Sequence, residues 1–367
     1  WVQPDNASLA LAVTTITVVD LRAVDLAPVS RCFIGGTEAL YMTPATMVLA
    51  STRWAYTTVG GALRYPETIR TDLHKFSFAG GQLAYRASGD VAGHLGWDPQ
   101  RKSYRLSEHQ GFLRVLTFTG PIGWADAADA GSTPPSPARL TVLRVDAGTQ
   151  GGVLTPVATL PNAQLPEPRG KPGEQVHGVR CAGTRGYLVT FRQIDPLYVL
   201  DLADATNPRV AGVLEAPGFS DHLVPLSDRL LLGVGKDADA MGRTGGVKVS
   251  LFDVADAARP RELASRVFGS AGSQSGLDAS RQGLALLDRG GTTRLSLPLY
   301  LLDANYTNAR DRLQRLEVDH AAGTLLAKAP LEPPAGTLPG QLGTQRSVLS
   351  GEQVVWLHGG RLASHAW

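Results

Sequence analysis

Cysteine is scarce in this chain: Cys32 and Cys181 are the only two in 367 residues. No CxxC occurs, so the thiols supply no metal or redox motif. They either pair in an oxidising compartment or serve as small buried hydrophobes, and their placement leaves both open. Long apolar runs are also missing. Nothing reaches 18 consecutive apolar residues, so no membrane-spanning helix is expected. Charged residues make up 19% of the chain, below the usual quarter. The net charge of +2 implies no polyanionic partner. Basic residues are scattered singly without aromatic alternation, so nucleic-acid binding is not expected. The chain opens at Trp1 with no leader-like segment and stops within the strand-like RLASHAW. Both ends read as cut, and an N-terminal part of the full-length protein is expected to precede residue 1.

Glycine and proline are plentiful, at 41 and 24 residues, which suits many short strands joined by turns. One phrase recurs. LYVLDLADATNPRVAG (197–212) is echoed by VKVSLFDVADAARPRELA (247–264). Each reads as a strand ending in Asp, a turn, then a proline-led second strand. Using that Asp as a ruler finds Asp20, Asp201, Asp253 and Asp303, with two weaker members at LHKFSF near residue 76 and LTVLRVD near Asp146. A period near 50 residues with strand content throughout is the signature of a propeller blade. The only helix-like charged stretch, NARDRLQRLEVDH (308–320), reads equally well as strand.

The expected fold is all-β: one β-propeller of four-stranded blades over 1–367. About six blades lie in this chain, and a ring of seven or eight remains open. Residues 120–138, rich in small residues and proline, form a surface insertion. Leu188, Val189, Val199, Leu200, Leu232, Val234, Val249, Leu251 and Leu301 should lie between blades. The strands at 14–21 and 29–35 are expected to join those at 345–367 in one composite blade, removing open edges. In each turn Asp204, Asn207 and their counterparts should bond their own backbone.

Roughly residues 10–290 of the chain resemble a family of secreted bacterial and archaeal proteins with a C-terminal β-propeller domain distantly related to WD repeats. The resemblance rests on TDLHKFSF (71–78), YRASGDVAGHL (85–95), GFLRVLTF (111–118), GYLVTFRQIDPLYVLDLADATNPRVAG (186–212), PGFSDHLVPL (217–226) and LLLGVGKDADAMGRTGGVKVSLFDVAD (230–256). It implies the fold and a secreted, periplasmic or cell-surface location. It carries over no reaction and no catalytic residues.

The residues themselves announce no reaction. GVGKDADAMGRTGG (233–246) lacks the order of a phosphate-binding loop. Asp237 and Asp239 resemble the start of a calcium loop but lack its bidentate glutamate. The eight histidines form no tight ligand pair, and GxSxG is absent. Acidic and imidazole groups do recur in the loops leading into the first strand of successive blades. These are Glu38, Glu108 with His109, Glu174 with His177, Asp221 with His222, and Asp278. Gathered at one end of the propeller axis, Glu38, His177, Asp221, His222 and Asp278 would form a polar mouth able to hold a cation. The bland reading is that strands facing a wet channel carry polar groups for that reason alone. The expected function is therefore a non-catalytic protein-binding or scaffold module presenting a rim or loops to another protein. No organic cofactor is expected, and calcium is the one metal considered. The alternative is an enzyme or metal-binding propeller with its site at the channel mouth.

Overall fold

A computed structural model describes residues 12–53, 57–59, 62–64, 69–79, 82–96, 98–118, 138–148, 151–166, 175–191, 195–239, 241–306 and 308–367. Residues 120–137 of the insertion expected at 120–138, and Glu174, fall outside these, while Ala138 is described. The described residues divide into two compact units, one of residues 1–173 with 202–209 and one of 174–201 with 210–367.

In the first unit, β1 (Val13–Val19) and β2 (Pro28–Ile34) pair only with each other. The next strands are β3 (Ala39–Met42), β4 (Thr46–Arg53), the short β5 (Thr57–Val59) and β6 (Ala62–Arg64), β7 (Arg70–Ala79) and β8 (Gln82–Ala92). Then come β9 (Leu106–His109), β10 (Phe112–Phe118), β11 (Ala138–Asp146) and β12 (Gly152–Leu160). Strands β3-β4-β7-β8 form one blade and β9-β10-β11-β12 the next, while β5 and β6 make a side hairpin. The two blades are fused through their last strands. A short parallel pairing, Gly152 with Ala87 and Val153 with Ser88, yields a single eight-stranded sheet. Their shared core includes Val48, Leu73, Val91, Leu113, Val115 and Leu143.

The second unit begins with β13 (Gln175–Ala182), β14 (Arg185–Phe191), β15 (Asp195–Asp201) and β16 (Arg209–Ala216). A matching set follows: β17 (Phe219–Pro225), β18 (Leu230–Ala238), β19 (Thr244–Asp253) and β20 (Arg261–Phe268). Each set is a four-stranded antiparallel blade in sequence order, so the repeated phrase is the third and fourth strands of successive blades. In the following sheet, β21 (Gln274–Ser275) and β22 (Ala285–Asp288) both pair with β23 (Thr292–Leu302). The four-residue helix α1 (Gly276–Ala279) lies between them, and β24 (Ala309–Asp319) and β25 (Thr324–Ala327) complete the sheet. The segment with helix-like charge is thus strand β24. The last sheet holds β26 (Arg346–Ser350), β27 (Gln353–His358) and β28 (Arg361–Ala366).

The expected core holds at eight of nine positions. Leu188, Val189, Val199, Leu200, Leu232, Val234, Val249 and Leu251 are all buried, whereas Leu301 is half-buried at the margin of its cluster. The turn chemistry follows expectation at the aspartates, while Asn207 enters its turn through its backbone N–H, which donates to the Asp204 carbonyl at 3.2 Å. Asp204 Oδ1 accepts the Thr206 N–H at 2.8 Å, and Asp256 Oδ1 accepts that of Ala258 at 3.0 Å. The ruler residues Asp20, Asp253 and Asp303 each accept a backbone N–H two residues on. A short carboxylate that caps its own turn is favoured wherever the chain must reverse between strands. One expectation is corrected. The terminal strands build no composite blade, because each set forms its own sheet, of two and of three strands. Of the two alternatives left open for the cysteines, no disulfide forms; Cys32 is exposed and Cys181 half-buried.

Candidate functional site

The two halves of the expected polar mouth are built from different pieces, so each candidate is placed in its own unit. In the first, Glu38 precedes β3 and its Oε2 accepts from Lys102 Nζ at 2.8 Å and Thr52 Oγ1 at 3.1 Å. On β9, Glu108 Oε1 accepts from Lys75 Nζ at 3.0 Å, while its backbone N–H donates to Tyr41 Oη at 3.0 Å. Each carboxylate is thereby matched to an ammonium from the neighbouring blade. The same unit holds a cavity of about 20 Å³, lined by Thr14, Phe33, Ser51, His74 and Tyr85 among others. That is room for a water molecule and not for an organic ligand. Burial lowers the His74 imidazole below its ordinary value and raises the Tyr85 phenol, so both wall groups are neutral near pH 7.

In the second unit, His177 and Asp221 are brought together: imidazole Nδ1 lies 2.8 Å from Asp221 Oδ1. The carboxylate is 3% exposed and the imidazole 20%. Two irregularities create the contact. The β13–β14 register shifts between Val176 and Val179, and the β17–β18 register shifts between Ser220 and His222. His177 and Asp221 are the displaced residues, and a bulge re-aims a side chain out of strict alternation. Between them the strands nearly touch. A Cβ on Gly178 would lie 2.4 Å from the Ser220 carbonyl oxygen, so only glycine permits the approach. The His177 ring also packs on Phe219, centroids 4.6 Å apart. Because a carboxylate only accepts, Nδ1 carries the proton it shares with Asp221, and Asp221 fixes the orientation of the ring.

His222, next to Asp221 in sequence, is also buried. Asp278 is separate from it. Its Oδ2 accepts the Ser275 N–H at 2.9 Å, closing a capping box on α1, and accepts from Lys236 Nζ at 2.9 Å. Among the described residues, no three His, Cys, Asp or Glu side chains converge as a metal site requires. The calcium-loop candidates serve the β18–β19 hairpin. Asp239 Oδ1 accepts the Met241 and Arg243 N–H groups at 2.9 and 3.0 Å, and Oδ2 accepts from Arg243 Nε at 2.7 Å. The backbone N–H of Arg243, with its guanidinium, holds the Asp239 carboxyl below the ordinary range. Asp237 lies against Gly245 across the same hairpin.

Lysines 75, 102 and 236 are what the sequence reading missed. They sit 33, 64 and 42 residues from their acidic partners. No local spacing announces such pairs; knowing which strands of adjacent blades touch would have found them.

Residues 2–362 match the family model described as "Beta propeller domain". The chain belongs to the β-propeller domain family. Two curated relatives of this propeller domain are uncharacterised archaeal proteins. One, from Methanocaldococcus jannaschii, is 32% identical over 176 residues, covering 48% of this chain and 23% of its own length. The other, from Archaeoglobus fulgidus, is 44% identical over 196 residues, covering 53% of this chain and 25% of its own length. The match thus spans about a quarter of each relative. Among solved structures, the GH74 xyloglucanase of Xanthomonas campestris aligns over 90% of this chain and 44% of its own. Its identity is 16% and the TM-score 0.46. A PL25 ulvan lyase aligns over 89% of this chain and 81% of its own, with 9% identity and a TM-score of 0.42. At these values neither likeness bears on activity.

Proposed function

We propose that this propeller domain is an exported, non-catalytic module that binds another protein and serves as a scaffold. The observation that carries the reading is the tip between β1 and β2. There Leu21 is 84% exposed, Val24 is fully exposed and Leu26 is half-exposed, with Val19 and Val29 flanking them in solvent. Large apolar side chains gathered on one projecting turn lose free energy to water unless a partner covers them. Function in such folds resides in loops carried by a rigid frame. The acidic groups Glu38, Glu108 and Asp278 are matched by lysines, which supports a structural over a catalytic role for them. The exported location rests on the resemblance to secreted proteins. No cofactor belongs to this reading, and calcium at Asp237 and Asp239 would have to displace the hairpin bonds of Asp239.

A photo-crosslinking side chain at position 24 of the full-length protein in its host provides the test. A discrete protein adduct is expected there, and none at Met241, which is also exposed. Equal adducts at both positions, or none at 24, would sink the reading. A second reading, a ligand or reaction site, is favoured by one observation only: the oriented His177–Asp221 pair. Bound metal or a hydrolytic activity that disappears in Asp221→Asn with the fold intact would establish it over the first.

A further inference from the structure

Among the described residues, side chains alone hold hairpin β1–β2 to the first blade, because its two strands pair only with each other. Ile16, Val18 and Phe33 pack on Met47, Leu49, Phe76 and Leu83 of the blade. An aromatic chain runs through this interface. The Phe33 ring meets Phe76 edge-on at 5.0 Å, and Phe76 meets Tyr85 edge-on at 5.3 Å. Tyr85 Oη lies 3.5 Å from His74 Nδ1. The water-sized cavity sits at this end of the chain. His74 and Tyr85 line it from the blade, and Thr14, Phe33 and the turn at Gly35–Thr37 line it from the hairpin side.

The charges around the His74 ring decide what acid does to it. On its own strand, β7, Asp72 favours the imidazolium. Burial opposes this more strongly and holds the imidazole below its ordinary value. Asp72 is itself engaged by Arg53 on β4, whose Nε donates at 3.2 Å. On β8, Tyr85 is a neutral phenol, and Asp90 receives Arg70 Nε at 2.7 Å and Arg53 Nη2 at 3.0 Å. From β4, Ser51 adds only a hydroxyl to the cavity wall. Glu38, one residue beyond Thr37, is engaged by Lys102. The hairpin brings no charge to the cavity, since Asp20, Arg22, Asp25 and Arg31 are all exposed to solvent and none lines it.

We propose that His74 is an acid-sensitive latch, whose protonation lifts hairpin β1–β2 off the first blade. A neutral imidazole packs well between aromatic rings, whereas an imidazolium there must be hydrated. One water fills the cavity; further hydration requires the hairpin to move. The closed form is therefore at full strength above the free imidazole value of about 6.5. It weakens as pH falls from there toward the lower folded value, because the open form binds the proton more readily. The apolar tip rides on this hairpin, but the inference does not depend on a partner there, since the hairpin itself is the readout.

Hydrogen exchange of the full-length protein, followed by mass spectrometry and corrected for intrinsic rates, tests the latch. Between about pH 7.5 and pH 5, exchange over residues 13–34 should rise while β4 and β7 hold. The ceiling on that rise is about thirty-fold, because pH 5 lies about 1.5 units below the free imidazole value. His74→Phe keeps a ring but loses the proton site, and its hairpin should be equally protected at both pH values. His74→Gln should behave likewise, and it serves if phenylalanine disturbs the fold. Tyr85→Phe should keep the acid response, because the phenol stays neutral throughout. No rise in the wild type overturns the proposal, as does a rise of equal size in the folded His74 variants. So does a His74 ring resonance that titrates at or above about 6.5.

Discussion

His358 Nε2 donates to Asp311 Oδ2 at 2.7 Å, and neither side chain is exposed to solvent. The contact ties β27 of the last sheet to β24 of the sheet before it. Asp311 is otherwise well served: Gln345 Nε2 donates at 2.8 Å, and the Gly340 N–H lies 3.1 Å from both carboxylate oxygens. Trp356 packs edge-on against the His358 ring at 4.9 Å. A buried carboxylate survives only when its desolvation is offset by donors such as these.

Removing one partner should therefore cost more than removing both. Asp311→Ala is expected to destabilise the chain by about 3–5 kcal/mol, the usual cost of breaking a buried pair. The Asp311→Leu/His358→Leu double variant should fall well short of the sum of its single changes. Urea unfolding of the four proteins measures the coupling. Additive losses would show that the pair does not act as a unit.

Leu200 on β15 and Leu301 on β23 offer a test of the blade core. Leu200 is 2% exposed, so Leu200→Ala should cost about 2–5 kcal/mol. Leu301 lies only at the margin of its cluster, and Leu301→Ala should cost less. Denaturant midpoints at unchanged m-value compare the two.

At Gly178 the expected effect is local. A methyl group 2.4 Å from the Ser220 carbonyl must push β13 away from β17, so Gly178→Ala should separate His177 from Asp221. The His177 ring signals in an NMR spectrum should move toward those of Asp221→Asn, with a loss of stability on the order of 1–3 kcal/mol. Unchanged ring signals would show that the strands have slack.

Acid should weaken the first unit through Asp90. The hydrogen bond from Arg70 outweighs burial, and with the charges of Arg70 and Arg53 it holds the Asp90 carboxyl below the ordinary range. A carboxyl depressed in the folded state contributes stability that is complete above its unfolded value, about 3.9. That contribution is lost as pH falls through the lower folded value. Wild type and Asp90→Asn should therefore differ in unfolding free energy near neutral pH, and the difference should begin to narrow as pH falls below about 4. A gap that does not narrow at all as pH falls from about 5 to 2 would rule this out.

The blades were legible because each repeat solves the same local problem. Asp204 and Asp256 announce their turns two residues ahead, and alternation from Val247 to Leu251 announces a buried third strand. Other features depend on encounters between distant residues. Lys75 finding Glu108, or Gly152 finding Ala87, is decided by how blades abut and leaves no periodic trace. The β1–β2 tip was hidden for a different reason. Leu21, Val24 and Leu26 read as ordinary core formers, and their exposure breaks the rule by which apolar residues are normally assigned. The His177–Asp221 contact was half visible: both residues were singled out, but the paired bulges that aim them were not.

The seam between β8 and β12 changes how the first two blades come apart. Stacked blades can in principle detach one at a time, each opening with its own free energy. Here two paired residues on each side stitch the rims together at Ala87 and Ser88, Gly152 and Val153. Amides in the two blades should then exchange with solvent at a common rate, like pages bound at the outer margin as well as the spine. Cutting that margin would let the second blade breathe without the first.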